Sequence, residues 1–151
     1  MFAVIRLRGL AGINRNVEAT LKMLRLNAVN NCVIVLETID YKGMLGKVKD
    51  SITWGEIDKS ILISMLKKRL RLKSNEKISE KDFKSVIGYE YEKLADALIE
   101  GKIKLKDLEK IEPIFRLTPP SKGFKSIKEH YPKGDLGYRG KEINELLEKM
   151  I

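Results

Sequence analysis

The stretch that decides the fold is FAVIRLRGLAGINRNVEATLKMLRL, from Phe2 to Leu26. Its beginning, residues 2–8, predicts a β-strand, because successive side chains of a strand point to opposite faces of a sheet. That alternation gives two sets of side chains, Ala3, Ile5 and Leu7 on one face and Val4, Arg6 and Arg8 on the other. We therefore expect the two arginines to project together from one face of the strand.

Two glycines shape the turn that follows this strand. Gly9 and Gly12 allow the backbone to turn sharply with few side chains in the way. Asn14 or Asn16 can then cap a helix whose apolar residues recur at helical spacing. A helix N-terminus presents unpaired N–H groups and a partial positive charge. The junction between the strand and the helix is therefore suited to binding a phosphate backbone.

The next elements complete a compact α+β unit. A second strand is predicted from Cys32 to Thr38, a short helical segment over residues 41–48, and a third strand from Ser51 to Ile57. Together with the first strand and helix they form a βαβαβ unit, a shortened ferredoxin-like antiparallel sheet. The second strand is apolar on both faces until Glu37, so we expect other elements to cover the second face of the sheet.

The pattern changes to helices from Asp58 onward. Helices are predicted from Lys59 to Lys73, after a capping box at 79–82, around residues 91–99, and from Lys141 to Met150. We expect these helices to supply the missing cover. The chain is therefore divided into a ferredoxin-like domain, 1–58, and an α-helical C-terminal extension, 59–151. The extension contains an irregular segment, 113–141, in which only 114–117 resembles a strand.

Positive charge is concentrated rather than evenly spread. The chain has a formal net charge of +9, which is typical of a protein with a polyanionic partner. One basic block lies at 67–73, where cations also favour the C-terminus of a helix. The other is the Pro/Gly-rich part of the irregular segment, where Phe124, Tyr131 and Tyr138 alternate with lysines and arginines. Aromatic rings stack on splayed bases while cations hold phosphates, so this loop predicts RNA binding.

The sequence gives little support for a metalloprotein, an enzyme with a nucleophile and a base, or a membrane protein. The chain has one cysteine, Cys32, in an apolar run, and one histidine, His130, in the irregular segment. Neither joins a cluster with metal-ligand spacing, and no pair of nucleophile and base can be assembled. No uncharged run approaches the roughly 18 apolar residues of a membrane span. We therefore expect a soluble, intracellular protein without metal or cofactor, and we expect Cys32 and Trp54 to belong to the core.

Several blocks of the sequence resemble one family, the large-subunit ribosomal proteins called L thirty, whose eukaryotic member is L seven. No single block is diagnostic, but their order and spacing are specific and extend over nearly the whole chain. The blocks are Arg8 to Val17 with Leu21 to Leu26, Tyr41 to Val48, Ile52 to Gly55, Phe115 to Pro120 and Gly134 to Gly140. Short bacterial members correspond to about residues 1–58, and eukaryotic members carry a basic N-terminal extension. The chain is therefore most similar to the archaeal form.

The resemblance implies a structural, non-catalytic protein of the large ribosomal subunit in the cytoplasm. Its implied partners are large-subunit ribosomal RNA and neighbouring ribosomal proteins, with no cofactor, membrane or small-molecule substrate. It also implies that RNA faces the loop after the first strand, the turn at 42–44 and the irregular segment. Within these elements we expect RNA contacts from Arg6, Arg8, Gly12, Arg15, Lys22, Arg25, Lys42, Lys47, Lys49, Arg116, Lys122, Lys125 and Arg139.

Two alternatives stay open at this stage. A glycine loop that ends in an arginine before a helix also occurs in acylphosphatases, which share the ferredoxin-like architecture, so a small phosphate enzyme is one of them. The second is an RNA-binding factor that acts outside the ribosome. Composition does not separate this factor from a ribosomal protein, because both would carry the same excess of positive charge.

Overall fold

The structure is a computed structural model that describes residues 1–74, 76, 78 and 80–151, without the side chains of 80–82 and 86. The capping box predicted at 79–82 depends on residue 79 and on side chains that lie outside the described part of the chain. The predicted βαβαβ unit is confirmed. Its elements are β1 (Phe2–Arg6), α1 (Arg15–Met23), β2 (Asn31–Val35), α2 (Ile39–Val48) and β3 (Ile52–Glu56).

The sheet has five strands in the order β4-β2-β1-β3-β5. The two outer strands come from the second half of the chain, β4 (Phe115–Arg116) and β5 (Gly137–Tyr138). Antiparallel pairing joins β1 to both β2 and β3, and β2 to β4, whereas β5 runs parallel to β3. The central strand β1 is buried at every position from Phe2 to Arg6, because helices cover both faces of the sheet.

One face of the sheet packs against α1 and α2. Phe2 and Val4 of β1 meet Leu21 of α1 and Leu45 of α2 in this core. The helices are held at their starts by side-chain caps. Asn14 accepts a hydrogen bond from the backbone N–H of Asn16, and Thr38 accepts one from Tyr41. The cap at Thr38 explains why β2 ends before the position predicted from its apolar run.

The opposite face packs against the helices of the second half, as predicted. These are α3 (Lys59–Arg69), α4 (Glu80–Ile87), α5 (Tyr91–Ile99) and α6 (Ile143–Met150). Ala3, Ile5 and Cys32 of the sheet lie in the same core as residues of these helices. The prediction of a buried Cys32 is confirmed. Helix α3 ends four residues before the predicted Lys73, because Leu70 is extended and Leu72 bridges to Ile111.

The irregular segment is ordered by one buried carboxylate. Asp135 accepts hydrogen bonds from the backbone N–H groups of Lys125 and Ser126, and it pairs with Arg139 at 2.6 Å. These contacts tie residues 125 and 126 to the part of the loop around Asp135 and Arg139. The prediction that 118–140 contains no regular structure is wrong at β5, because Thr53 and Trp54 of β3 provide an edge with which two of its residues pair.

Candidate nucleic-acid interface

The clearest candidate site is a groove between the first and second halves of the βαβαβ unit. Its volume is about 180 Å³. It is lined by residues of the turn before α1 and of the turn after α2, namely Arg8, Gly12, Ile13, Asn14, Val17, Lys47, Val48, Asp50 and Ser51. Two of the predicted contact regions, separated in sequence, are therefore brought together in space. We call this feature the junction groove.

Arg8 and Lys47 give the junction groove its charge. Both side chains are exposed, and Arg8 donates to the carbonyl oxygen of Asp50 at 3.2 Å, which fixes its direction across the groove. Arg15, in the first turn of α1, and Lys49, just after α2, are also exposed. The backbone N–H groups at the start of α1 add partial positive charge at the same place. The arrangement can hold an anion.

Arg6 corrects the expectation that the two strand arginines project together. Only 1% of Arg6 is exposed. Its guanidinium donates to the carbonyl oxygens of Leu26 at 2.7 Å, Asn27 at 3.0 Å and Arg8 at 2.8 Å. Burial lowers the pKa of Arg6, and these carbonyls compensate part of the lost hydration. Arg6 ties the end of β1 to the turn after α1 and presents no charge to a ligand.

Lys22 and Arg25, which were predicted to contact RNA together with the loop after the first strand, lie apart from each other. Lys22 is exposed and forms an ion pair with Glu18 at 2.7 Å, and this contact lowers the pKa of Glu18. Arg25 lies beyond the opposite end of α1 in a left-handed conformation, with φ of 61°. It lines a different groove, on the outer edge of the sheet. Arg25 is therefore too far along the helix to share an anion with Arg8.

The turn predicted at 42–44 also differs from the structure. Lys42 and Gly43 lie inside α2 and not in a turn. Lys42 pairs with Glu37 at 2.7 Å, which lowers the pKa of Glu37. Lys47 and Lys49, by contrast, are exposed, and their side chains make no hydrogen bond or ion pair within the part of the chain that is described. These two lysines are the free cations of this region.

The irregular segment contains one buried cation with a structural role and several exposed cations. Arg139 is 8% exposed, pairs with Asp135, and lies over the ring of Tyr131 at 5.3 Å. It is thus a structural residue, contrary to the expectation of an RNA contact at the surface. Arg116 is exposed and pairs with Glu112 at 3.0 Å. Lys122 and Lys125 are exposed, and Lys125 donates to the carbonyl oxygen of Pro132 at 3.1 Å.

One contact that the sequence did not indicate places the irregular segment beside the junction groove. The Nε2 atom of His130 lies 2.8 Å from Oδ1 of Asp50, and Asp50 lines that groove. The two residues are eighty positions apart, and neither belongs to a motif that would reveal the pairing. The contact brings the third predicted region next to the other two.

An aromatic pair marks the far edge of the sheet. Trp54 of β3 and Tyr138 of β5 have ring centroids 6.2 Å apart, and 53% of Tyr138 is exposed. Trp54 is half-buried at the margin of the core rather than within it. The hydroxyl of Tyr138 donates to Oε1 of Glu56 at 2.6 Å, and this bond raises the pKa of the tyrosine. This edge therefore presents a carboxylate beside its two aromatic rings.

Among the described residues, no group of three or more histidine, cysteine, aspartate or glutamate side chains is placed to hold a metal ion. None of the helices in the described part of the chain combines the length and apolar character needed to cross a membrane.

The fold and the groove define a class of protein, a small ferredoxin-like α+β protein with a basic surface at one strand-to-helix junction.

The sequence profile of the family Ribosomal protein L30p/L7e matches residues 2–52. Three relatives called large ribosomal subunit protein uL30 match nearly the whole chain. That of Archaeoglobus fulgidus is 50% identical, with 99% of each chain covered. That of Thermoplasma volcanium is 47% identical, covering 100% of this chain and 93% of the relative.

The third, from Methanococcus maripaludis, is 46% identical with 99% of each chain covered. The chain therefore belongs to the ribosomal protein L30p/L7e family, also called uL30. The predicted resemblance to the archaeal form is confirmed, and the family is a structural, non-enzymatic one. The phosphate-enzyme alternative is thereby wrong.

Proposed function

We propose that this protein is a structural constituent of the large ribosomal subunit in the cytoplasm, and that it binds large-subunit ribosomal RNA through the junction groove. The observation that carries the proposal is the convergence of Arg8 and Lys47 on the N-terminus of α1. Exposed cations beside unpaired N–H groups form a site for phosphate. Family membership supports the ribosomal part of the proposal.

The residues that surround the groove have different roles in this proposal. Arg8, Arg15, Lys47 and Lys49 contact phosphates, whereas Arg6 ties the end of β1 to the turn after α1. Most protein contacts with phosphate position a protein on the RNA without reading its sequence. Gly12 has a positive φ of 73° and no neighbouring atom within 4 Å of an added Cβ. Its role is to form the turn and leave space for a close approach of the RNA backbone.

The irregular segment extends the same surface. The contact between His130 and Asp50 places this segment beside the groove, and Lys122 and Lys125 add exposed cations farther along it. In this proposal residues 1–58 form the ribosomal core domain and residues 59–151 an extension that adds a second area of RNA contact. Surfaces that face away from the RNA would meet neighbouring ribosomal proteins.

Sedimentation and salt-dependent binding test the two parts of the proposal separately. In an extract of the source organism, the protein should comigrate in stoichiometric amount with the large subunit at low salt. Purified protein should bind large-subunit ribosomal RNA with an affinity that falls steeply with salt, because bound phosphates release counterions. Replacing Arg8, Lys47 and Lys49 together by glutamine should lower the slope of log affinity against log salt by about 2 to 3.

A matched control separates local contacts from total charge. Lys59, Lys93 and Lys102 are exposed lysines that pair with carboxylates on the helical side of the protein. Replacing these three by glutamine removes the same net charge, and it should leave the salt slope nearly unchanged. Equal losses in both triple variants would show that only the total charge matters. Absence of the protein from the large subunit at low salt would refute the ribosomal assignment.

A further inference from the structure

The outer edge of β2 is only partly paired. Strand β4 pairs with Asn31 and Cys32 and no farther. Continuation of that register would place Ile114 opposite Val33 and Pro113 opposite Ile34, but Pro113 has no N–H group to donate. No other strand of the described chain pairs with this edge beyond Cys32. The stretch from Val33 to Val35 therefore has no strand partner on this side. Val33 and Val35 are buried, with 4% and 8% exposed, and Ile34 between them is half-buried.

A groove of about 230 Å³ runs along this unpaired edge. We call it the edge groove. Aliphatic and thioether side chains line it from both layers of the protein. On one side lie Met23 and Leu24, at the end of α1, and on the other Leu98, Ile103 and Leu105. Met23 is 67% exposed, which is high for a large apolar side chain beside an existing core.

The rim of the edge groove is positively charged. Arg25, Lys104 and Lys106 line it and are exposed. None of the three forms an ion pair or a side-chain hydrogen bond within the described chain. Lys102, close by in sequence, is paired with Glu100 at 2.6 Å, so the carboxylate of Glu100 is not compensating the rim. The three cations can therefore pair with acidic groups of a partner.

We infer that the edge groove binds an extended peptide segment of a partner protein, which adds to β2 as a further strand. The segment would have aliphatic residues at its centre and acidic residues at its ends. Backbone N–H and C=O groups would pair with the unpaired edge, and side chains would enter the apolar walls. About three residues at roughly 3.3 Å each would match the unpaired length from Val33 to Val35.

The walls favour a peptide over RNA. Bases bind proteins largely by stacking on aromatic rings, and cations then hold the phosphates. The edge groove has one aromatic residue, Tyr41, among its lining side chains, and the rest of its apolar surface is aliphatic. An aliphatic peptide buries that surface, whereas a nucleotide backbone does not. The inference does not depend on the RNA binding proposed for the junction groove, which lies at the opposite end of α1.

The test uses the full-length protein and a synthetic peptide. The peptide has eight residues, four central aliphatic ones flanked by two acidic residues at each end, with both termini blocked. In NMR titrations at low salt, it should shift the amide signals of Val33, Ile34 and Val35. Replacing Lys104 and Lys106 together by glutamate should weaken binding at least tenfold. The same double charge reversal at Lys122 and Lys128, in the irregular segment, should leave binding unchanged.

Three further probes can overturn the inference. A peptide with lysines in place of the acidic residues should bind at least tenfold more weakly, and equal binding would contradict the role of the rim. A peptide with N-methyl groups at its central amides should lose binding, because it cannot form the strand pairing. A decamer of uridine should not shift the β2 amides. If the uridine decamer shifts them and the acidic peptide does not, the groove is an RNA surface and the inference is wrong.

Discussion

The guanidinium of Arg6 donates a hydrogen bond of 2.7 Å to the carbonyl oxygen of Leu26. The bond joins the end of β1 to the turn that follows α1. A second bond from the same nitrogen reaches Asn27 at 3.0 Å, so one buried side chain closes the first strand-helix unit. The cation is kept inside the fold by carbonyl oxygens rather than by a carboxylate. The charge of Arg6 is thereby kept away from the surface, since only 1% of the residue is exposed.

Removing Arg6 should therefore reduce stability more than RNA affinity. Arg6→Ala removes the donor from the buried carbonyl of Leu26 and the partly buried carbonyl of Asn27, and it should lower the free energy of unfolding by about 3 kcal/mol. Arg8→Ala, two residues away and exposed, should cost less than about 1 kcal/mol but lower the salt slope of RNA binding. Urea unfolding and RNA titration of both variants measure the contrast. Equal stability of the two variants would contradict the structural role of Arg6.

The sequence predicted the order of elements in the βαβαβ unit because that order depends on local patterns. Alternation along residues 2–8 and the apolar run after Cys32 are features of neighbouring residues. Alternation also placed Arg6 on the correct face of the strand. It could not show that the turn after α1 would cover that face, because the cover comes from residues twenty positions away.

The functional surface was less predictable for the same reason. Arg139 and Lys122 have similar sequence surroundings, both in a basic loop rich in glycine and proline. The first is buried against Asp135 and the second is exposed. The contact between His130 and Asp50 links positions eighty residues apart. Composition identified the regions that carry positive charge, whereas only the tertiary structure shows which charges are free.

Two glycines on neighbouring elements should respond oppositely to alanine. A Cβ at Gly55 of β3 would clash with the carbonyl oxygen of Gly140, so the backbone must move, and Gly55→Ala should cost about 3 kcal/mol. Gly43 lies inside α2 with nothing within 4 Å. Gly43→Ala should stabilise the free protein by about 0.5 to 1 kcal/mol. Thermal unfolding tests both, and destabilisation by Gly43→Ala would show that the helix is not formed there.

The contribution of Tyr138 to the stability of the fold should be lost at alkaline pH. Its hydrogen bond to Glu56 raises its pKa above the ordinary value of about 10, so the folded state holds the proton more tightly than the unfolded state. This contribution is present below about pH 10 and is lost as the pH rises through the raised pKa. The stability difference between wild type and Tyr138→Phe should therefore shrink from about pH 9 to about pH 11. A constant difference across that range would contradict the hydrogen bond.

The exposed cations of β4 and the irregular segment should act on RNA binding with little effect on stability. Arg116, Lys122 and Lys125 are all exposed, and the ion pair of Arg116 with Glu112 lies at the surface, where such pairs contribute about 0 to 1 kcal/mol. Replacing all three by glutamine should lower the salt slope of RNA binding by about 2 to 3. The unfolding midpoint should move by only a few degrees.

Arg139→Gln provides the contrast within the same segment. It removes a buried partner of Asp135 and should destabilise the loop, which limited proteolysis near Lys125 would detect as faster cleavage. The salt slope of the folded Arg139→Gln protein should stay close to that of wild type, because the lost charge was already paired inside the protein. If Arg139→Gln lowers the slope and the exposed triple variant does not, RNA contacts this segment through a rearranged loop that frees Arg139.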